Sequence, residues 1–252
     1  MDSKFFSLSA TKPQYSSQAG NLTTISEKEM PGLVNIAYAN LKLNKRGSLE
    51  PIWHPNANKI GYCVAGKNLI SIRNPTGVET FTVEKGDIFF IPQGFIHHIE
   101  NIEETPSEIN FALNHSKPET MFLSKAVKSI SDNVFNSTFK TNSGFIDGLK
   151  KVNHSELIKT LPETSKLPTL NGNSYKFNIE NSNKAILTKG GYVQLGTKSN
   201  LPILQGLGIL GFGLNLKGIV EPHWHTNAGE LVYIVKGKTR ITVLSPEGSS
   251  MF

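Results

Sequence analysis

The sequence is poor in cysteine, in long apolar runs and in clustered charge, and each shortage removes a class of protein. A single cysteine, Cys63, permits neither a disulfide framework nor a thiolate zinc cluster, so any metal must be held by histidine and carboxylate. No run approaches the roughly 18 uninterrupted apolar residues of a membrane helix, and Met1-Asp2-Ser3-Lys4 begins without the apolar stretch of a secretory signal. The expectation is a cytoplasmic protein with no membrane partner. The net charge of +6 is also not gathered into a patch with interleaved aromatics: the densest stretch, Lys140 to Lys151, is diluted by Thr141, Asn142 and Ser143. It reads as a solvated surface, and no nucleic-acid partner is expected. What remains is a chain of 252 residues, 38% hydrophobic and 18% charged, enough for one large core or two modest ones.

What is present in abundance is self-similarity. Asn44 to Lys67 (NKRGSLEPIWHPNANKIGYCVAGK) lies over Asn215 to Lys238 (NLKGIVEPHWHTNAGELVYIVKGK) with 12 identities in 24 positions and no gap. The match continues weakly through Ile70/Ile241, Pro75/Pro246, Gly77/Gly248 and Phe81/Phe252 at a constant offset of 171 residues. The chain therefore contains an internal duplication.

Within each copy, apolar residues alternate, which is the period of strands. In the second copy Gly218 to His225 and Glu230 to Val235 read as two strands joined at Thr226-Asn227-Ala228-Gly229, with another at Thr239 to Leu244. In the first copy strands follow at Thr80 to Val83, Ile88 to Ile91, His97 to Asn101 and Ile109 to Leu113. Many short strands with Gly/Pro turns indicate an antiparallel barrel or sandwich. Between the copies, Glu119 to Ile130 has helical spacing, Asp132 is placed to cap a helix over Asn133 to Phe139, and Gly144 to Lys151 reads as a third helix. Val152 to Asn173, rich in Ser, Thr, Pro and Asn, reads as a linker. The domain plan is an N-terminal arm at 1–30, a first barrel at 31–117, helices and linker at 118–173, and a second barrel at 174–252.

Three glycines at 206, 208 and 211 have the spacing of a dinucleotide-binding turn, but they lead into alternating strands and not a helix, so that reading is set aside. The chemistry is concentrated at His223 and His225, two apart on one strand face, with Glu230 across a turn on the neighbouring strand. Two imidazoles and a carboxylate suit a first-row divalent metal, with Mn, Fe and Zn admissible by donor type. Surface histidines on a solvent-facing strand are the alternative.

Gly218-x(4)-His223-x-His225-x(4)-Glu230-x(6)-Gly237, together with Gly86-x(5)-Pro92-x-Gly94-x(2)-His97-x(3)-Asn101, strongly resembles the two motifs of the cupin superfamily. Two copies resemble a bicupin similar to oxalate decarboxylases. The resemblance implies a mostly β fold of two cupin barrels (double-stranded β-helices, jelly-roll-like) with short helices between them, and a metal held by three His and one Glu, Mn(II) first, with Fe or Zn as alternatives. In the first copy His54 and His97 match two histidine positions, but Ile52 and Lys59 stand where the other ligands belong. An ammonium at an anionic ligand's place repels a dication. The first barrel is thus expected to be a degenerate, metal-free site, with Leu33 to Leu113 forming the barrel, Cys63 as core, Glu50 or Cys63 as the only rescuing donors, and Glu119 as a helix-start carboxylate in place of a lid acid. His223, His225 and Glu230 all match in the second copy, whose second motif would lie beyond Phe252, so the second barrel is expected to be incomplete and the chain a fragment or truncation. Two functions follow: a metal-dependent oxalate decarboxylase or oxidase-like enzyme acting on a small carboxylate from the second barrel, or a non-catalytic storage or small-molecule-binding bicupin. A homo-oligomer, a trimer when full length, is expected.

Overall fold

Alternation of apolar and polar residues, broken by glycine and asparagine turns, produces the strands of the computed structural model, which describes residues 5–141, 143–151, 156–245 and 248–251. After a short 3-10 turn at Leu8–Ala10, the chain forms β1 (Tyr15–Ser17), β2 (Gly20–Ile25), β3 (Ala37–Leu43), β4 (Gly47–Trp53), β5 (Lys59–Ala65), β6 (Lys67–Asn74), β7 (Gly77–Glu84), β8 (Asp87–Ile91), β9 (Ile96–Asn101) and β10 (Ser107–Leu113). A two-residue β11 (Met121–Phe122) leads into α1 (Leu123–Ser129), α2 (Asp132–Phe139) and α3 (Ser143–Lys151), and then come β12 (Ile158–Thr160) and β13 (Lys176–Asn178). One sheet has the order β1-β2-β3-β10-β5-β8-β13, and a second has β11-β4-β9-β6-β7 with β12 also on β4. Among the described residues they do not close on each other through ladder hydrogen bonds. The two faces meet over one core that includes Leu41, Phe89, Ile91 and Phe111 from the first sheet and Leu49, Ile70, Phe81 and Ile99 from the second. This is the mostly β, jelly-roll-like class expected, with three short helices.

Local chemistry explains the joints. At the β6–β7 turn, Asn74 Oδ1 accepts from Thr76 N (3.0 Å) and Gly77 N (2.7 Å), which fixes the hairpin register. Every residue of β8 is buried because Phe89 and Ile91 face the main core while Ile88 and Phe90 face a second cluster with Ile179, Leu201 and Leu204. That second cluster ties the region between the copies to the first sheet. The register of β4 on β9 shifts between Leu49 and Ile52, a bulge around Pro51 where a ladder N–H is unavailable.

The strands cross all three boundaries of the sequence-based plan. The stretch read as an arm supplies β1 and β2, paired onto β3, and residues 176–178, read as second barrel, pair with β8. The linker gives β12, hydrogen-bonded to β4. Glu119 does not begin a helix. Its N–H donates to Asn56 Oδ1 (2.8 Å) and β11 pairs with β4, so the chain stays extended until α1, whose first turn holds no acidic residue. Ser131 and not Asp132 holds the N-cap place of α2, and Asp132 lies in the first turn, where it pairs with Lys150 of α3.

The second copy begins as a replica. β14 (Ile186–Thr188), β15 (Gly191–Gly196) and β16 (Ile209–Leu214) form a sheet whose strands match β1, β2 and β3 at the same offset of 171 residues. Gly20 pairs with Leu43 in one copy and Gly191 with Leu214 in the other. Downstream, β17 (Thr242–Ser245) and β18 (Gly248–Met251) repeat the β6–β7 register, Ser71↔Thr80 becoming Thr242↔Met251. Pro246 and Phe252 fall outside the described residues. The expected strands at Gly218 to His225 and Glu230 to Val235 do not form: 219–241 carries no ladder hydrogen bonds. In the first copy the equivalent β4 and β5 pair with β9, β10 and β8. In the second copy Trp224 is 82% exposed.

Candidate functional site

In the first copy, Ile52 and His97 sit opposite each other on β4 and β9, His54 follows β4, and Lys59 opens β5. All four are buried. His54 Nδ1 lies 2.9 Å from the carbonyl oxygen of Glu119, so it carries the proton and leaves Nε2 as a lone pair. That Nε2 is buried without a partner among the described residues. His97 repeats the arrangement, Nδ1 donating to the Phe95 carbonyl (3.0 Å). Its Nε2 stands 3.4 Å from Lys59 Nζ, which also lies 4.1 Å from the centre of the Phe111 ring. Burial pushes the Lys59 amine down to about 7. Burial and then Lys59 push His54 down to about 3, and His97 well below its ordinary range for the same reasons. The group is therefore two neutral imidazoles around an amine. It does not fit a divalent cation: Ile52 offers no donor, none of the four is anionic, and the Lys59 amine occupies the place beside His97 Nε2.

Ile52, His54 and Lys59 border a cavity of about 370 Å³ with Leu41, Leu49, Phe111 and Thr120 on its walls, and His97 stands behind Lys59. Sequence reasoning found His54, Lys59 and His97 but not the cavity, because the wall residues Tyr15, Thr120 and Leu157 come from segments read as arm, helix and linker. Cys63 is wholly buried, its thiol pushed up to about 12 by burial, and it belongs to the core as expected. Glu50 lines the cavity; the exposed Glu119 contributes its backbone to His54.

In the second copy His223, His225 and Glu230 come together although neither flanking segment is a strand. One donor atom from each lies within 4.8 Å of the others. His225 Nε2 is 3.5 Å and His223 Nε2 3.9 Å from Glu230 Oε2, and the two rings stand edge to face at 5.3 Å. The Nδ1–H of His223 donates to the Glu221 carbonyl (2.9 Å), which turns its Nε2 lone pair toward the carboxylate. The donor set fits a divalent cation: two imidazole nitrogens and one anionic oxygen, all exposed. The turn packs on the first copy, with Tyr233 stacked 6.2 Å from Tyr38 and Leu231 against the Ile25, Leu33 and Tyr38 cluster.

Residues 6–146 and 177–252 match the family profile described as Cupin. The chain belongs to the cupin family. Among curated cupins it is 24% identical over 239 residues to oxalate decarboxylase OxdC of Bacillus subtilis, covering 92% of this chain and 62% of that one. It is 27% identical over 251 residues to a probable oxalate decarboxylase of Arthroderma benhamiae, covering 94% and 60%. A germin-like protein of Arabidopsis thaliana, subfamily 2 member 2, is 24% identical over 159 residues, covering 60% of this cupin and 73% of its own length. A solved structure of a Bacillus subtilis oxalate decarboxylase variant superposes with a TM-score of 0.68 at 21% identity, covering 79% of this chain and 54% of that one. Another, concerned with the Mn(II) centres of the same enzyme, gives 0.67 at 21% identity, with the same coverage. At these identities the structural likeness shows the fold alone. The cupin described here spans about 60% of the length of the two oxalate decarboxylase relatives.

Proposed function

We propose that this cupin holds a divalent metal, manganese first, through His223, His225 and Glu230, and uses it to engage a small carboxylate in oxalate decarboxylase-like chemistry. The observation that carries the reading is the convergence of three donors of the right kind within 4.8 Å. The Mn(II) centres named for the Bacillus subtilis enzyme favour manganese over iron or zinc. When bound, the metal supplies Lewis acidity and an anchoring point for carboxylate oxygens. The chain's own groups set the site: Glu230 provides the anionic charge, and the Glu221 carbonyl fixes the tautomer of His223. With three exposed ligands, binding is expected to be weak.

Electron paramagnetic resonance of Mn(II) titrated with the protein tests this directly. The wild type is expected to show one weak site, and His225→Ala and Glu230→Gln are each expected to lower its affinity about tenfold or more. Equal binding by all three proteins would place the metal elsewhere. A non-catalytic, small-molecule-binding reading is favoured by one observation of its own, the metal-excluding pocket of the first copy.

A further inference from the structure

The first copy holds a cavity of about 370 Å³ with an amine, Lys59, in its wall. We propose that this cavity is a carbonyl-binding site in which Lys59 forms a reversible Schiff base with a small, uncharged aldehyde or ketone. The proposal is independent of any metal in the second copy.

Geometry carries it. Lys59 lines the cavity, and no carboxylate pairs with it among the described residues; its one hydrogen-bonding neighbour is His97 Nε2 at 3.4 Å. Because His97 gives its Nδ1–H to the Phe95 carbonyl, Nε2 can only accept, so it takes one amine hydrogen and leaves the nitrogen lone pair for an incoming carbon. The remaining walls are mostly apolar, with Phe111 beside the amine and Leu41, Leu49 and Ile52 elsewhere in the lining; Glu50 and Lys125 are the other charged groups. A buried lysine in such surroundings is held toward the neutral, nucleophilic form, in agreement with its lowered pKa of about 7. A second acceptor without a donor, His54 Nε2, belongs to the same wall. One imidazole lone pair on the amine and a second, unpartnered one in the same wall disfavour a carboxylate anion, whose oxygens also only accept. They suit instead the hydroxyl that appears on the way to an imine.

The chemistry balances without a redox partner. Lys59 Nζ adds to the carbonyl carbon, and the C=O π pair moves to oxygen. Transfer of a nitrogen proton to that oxygen gives the carbinolamine, with His97 Nε2 within reach of the proton. The nitrogen lone pair then expels the hydroxyl, which leaves with a proton as water, and the C=N bond remains. One water is released per imine formed. The size of the cavity, at the lower end of small-molecule sites, suits a short aliphatic carbonyl compound.

The test uses the full chain at pH 7 with propanal and sodium cyanoborohydride, which reduces the imine to a stable secondary amine, followed by peptide mapping by mass spectrometry. Lys59 is expected to be alkylated at least about tenfold faster than exposed lysines such as Lys217 and Lys238, because an ordinary lysine amine is almost wholly protonated at that pH. Lys59→Arg is expected to lose the fast site while the slow background labelling of the other lysines is unchanged. Labelling of Lys59 no faster than that of Lys217 in the wild type overturns the proposal. So does acetate binding in the cavity, seen by calorimetry, without any Lys59 adduct, since that result makes the pocket an anion site. The wild-type comparison is decisive even if the arginine variant fails to fold.

Discussion

The two copies agree atom for atom where structure is local and part company where it depends on distant strands. Asn44 N donates to Ala19 O (2.9 Å) and Asn215 N to Gly190 O (3.0 Å); Gly47 N donates to Asn44 O and Gly218 N to Asn215 O, both at 2.8 Å. Arg46 and Lys217 both adopt positive φ, 56° and 65°. At Gly47 and Gly218 a Cβ would lie 2.3 Å from Ala19 O and 2.0 Å from Gly190 O, so both turns demand glycine. One residue later the copies diverge. β4 pairs with β9 about fifty residues on, Ile52 facing His97, whereas the equivalent segment carries no ladder bonds. Turns and hairpins are written within a dozen residues; a barrel's central strands are not, because their pairing closes long loops.

The largest expected effect tests that contrast in stability. Phe89 is fully buried, with its ring edge-on to Phe81 and Phe111 at 6.5 and 5.8 Å, and Phe89→Ala is expected to cost about 3–5 kcal/mol in urea unfolding. Trp224→Ala, at the 82% exposed residue, is expected to change stability by less than about 0.5 kcal/mol. Hydrogen exchange is expected to agree, with slow amides across β5, β8 and β10 and fast ones over 219–241. Comparable losses for the two substitutions would mean that the second copy is as well packed as the first.

A smaller effect, and one that depends on pH, concerns Lys59. Its pKa in the folded state, about 7, lies below the ordinary lysine value, so between those two pH values the unfolded chain binds more protons and stability rises with pH. Below pH 7 the cost of burying the ammonium is present in full; above the unfolded pKa it is absent. Lys59→Met is therefore expected to be more stable than the wild type by a few kcal/mol at pH 6, with the difference shrinking steadily toward pH 10. The depressed His54 and His97 act in the same direction on the acid side, lowering stability as pH falls through the ordinary histidine range. A difference between wild type and Lys59→Met that stays constant from pH 6 to 10 would show that the amine is not desolvated as described.

The same contrast explains how much was legible in the sequence. Strands at Thr80 to Val83, Ile88 to Ile91, His97 to Asn101 and Ile109 to Leu113 appear within β7, β8, β9 and β10, because alternating residues with real partners become strands. The helices over 123–129, 132–139 and 143–151 also follow the apolar spacing. Two things were not legible. GNLTTI and GYVQLG share only their first glycine, so the upstream half of the duplication, β2 against β15, is visible only in the backbone register. Alternation at 218–235 marks residues suited to a paired strand, and a pattern in one segment does not say what pairs with it. The ligand trio was legible all the same, because a His-x-His stretch and a carboxylate five residues on meet across a turn without needing a ladder.

The smallest expected effect comes from rebuilding in the first copy what the second retains. Ile52→His with Lys59→Glu would place four donors, two new and two already present, in a fully formed and buried site. The two present donors are prepared: His54 and His97 each give Nδ1–H to a backbone carbonyl, so both Nε2 atoms are free to ligate, the arrangement that fixes metal-binding imidazoles. The carboxylate also removes the ammonium that repels a dication. The double variant is expected to bind Mn(II) at least about tenfold more tightly than the exposed His223, His225 and Glu230 of the same chain, roughly 1.4 kcal/mol, because its ligands are held by packing and water is largely excluded. Titration of the double variant carrying Glu230→Gln separates the two sites. If it binds no better than Glu230→Gln alone, burial and register in the first copy do not by themselves make a metal site, and the difference between the copies lies in more than the identity of Ile52 and Lys59.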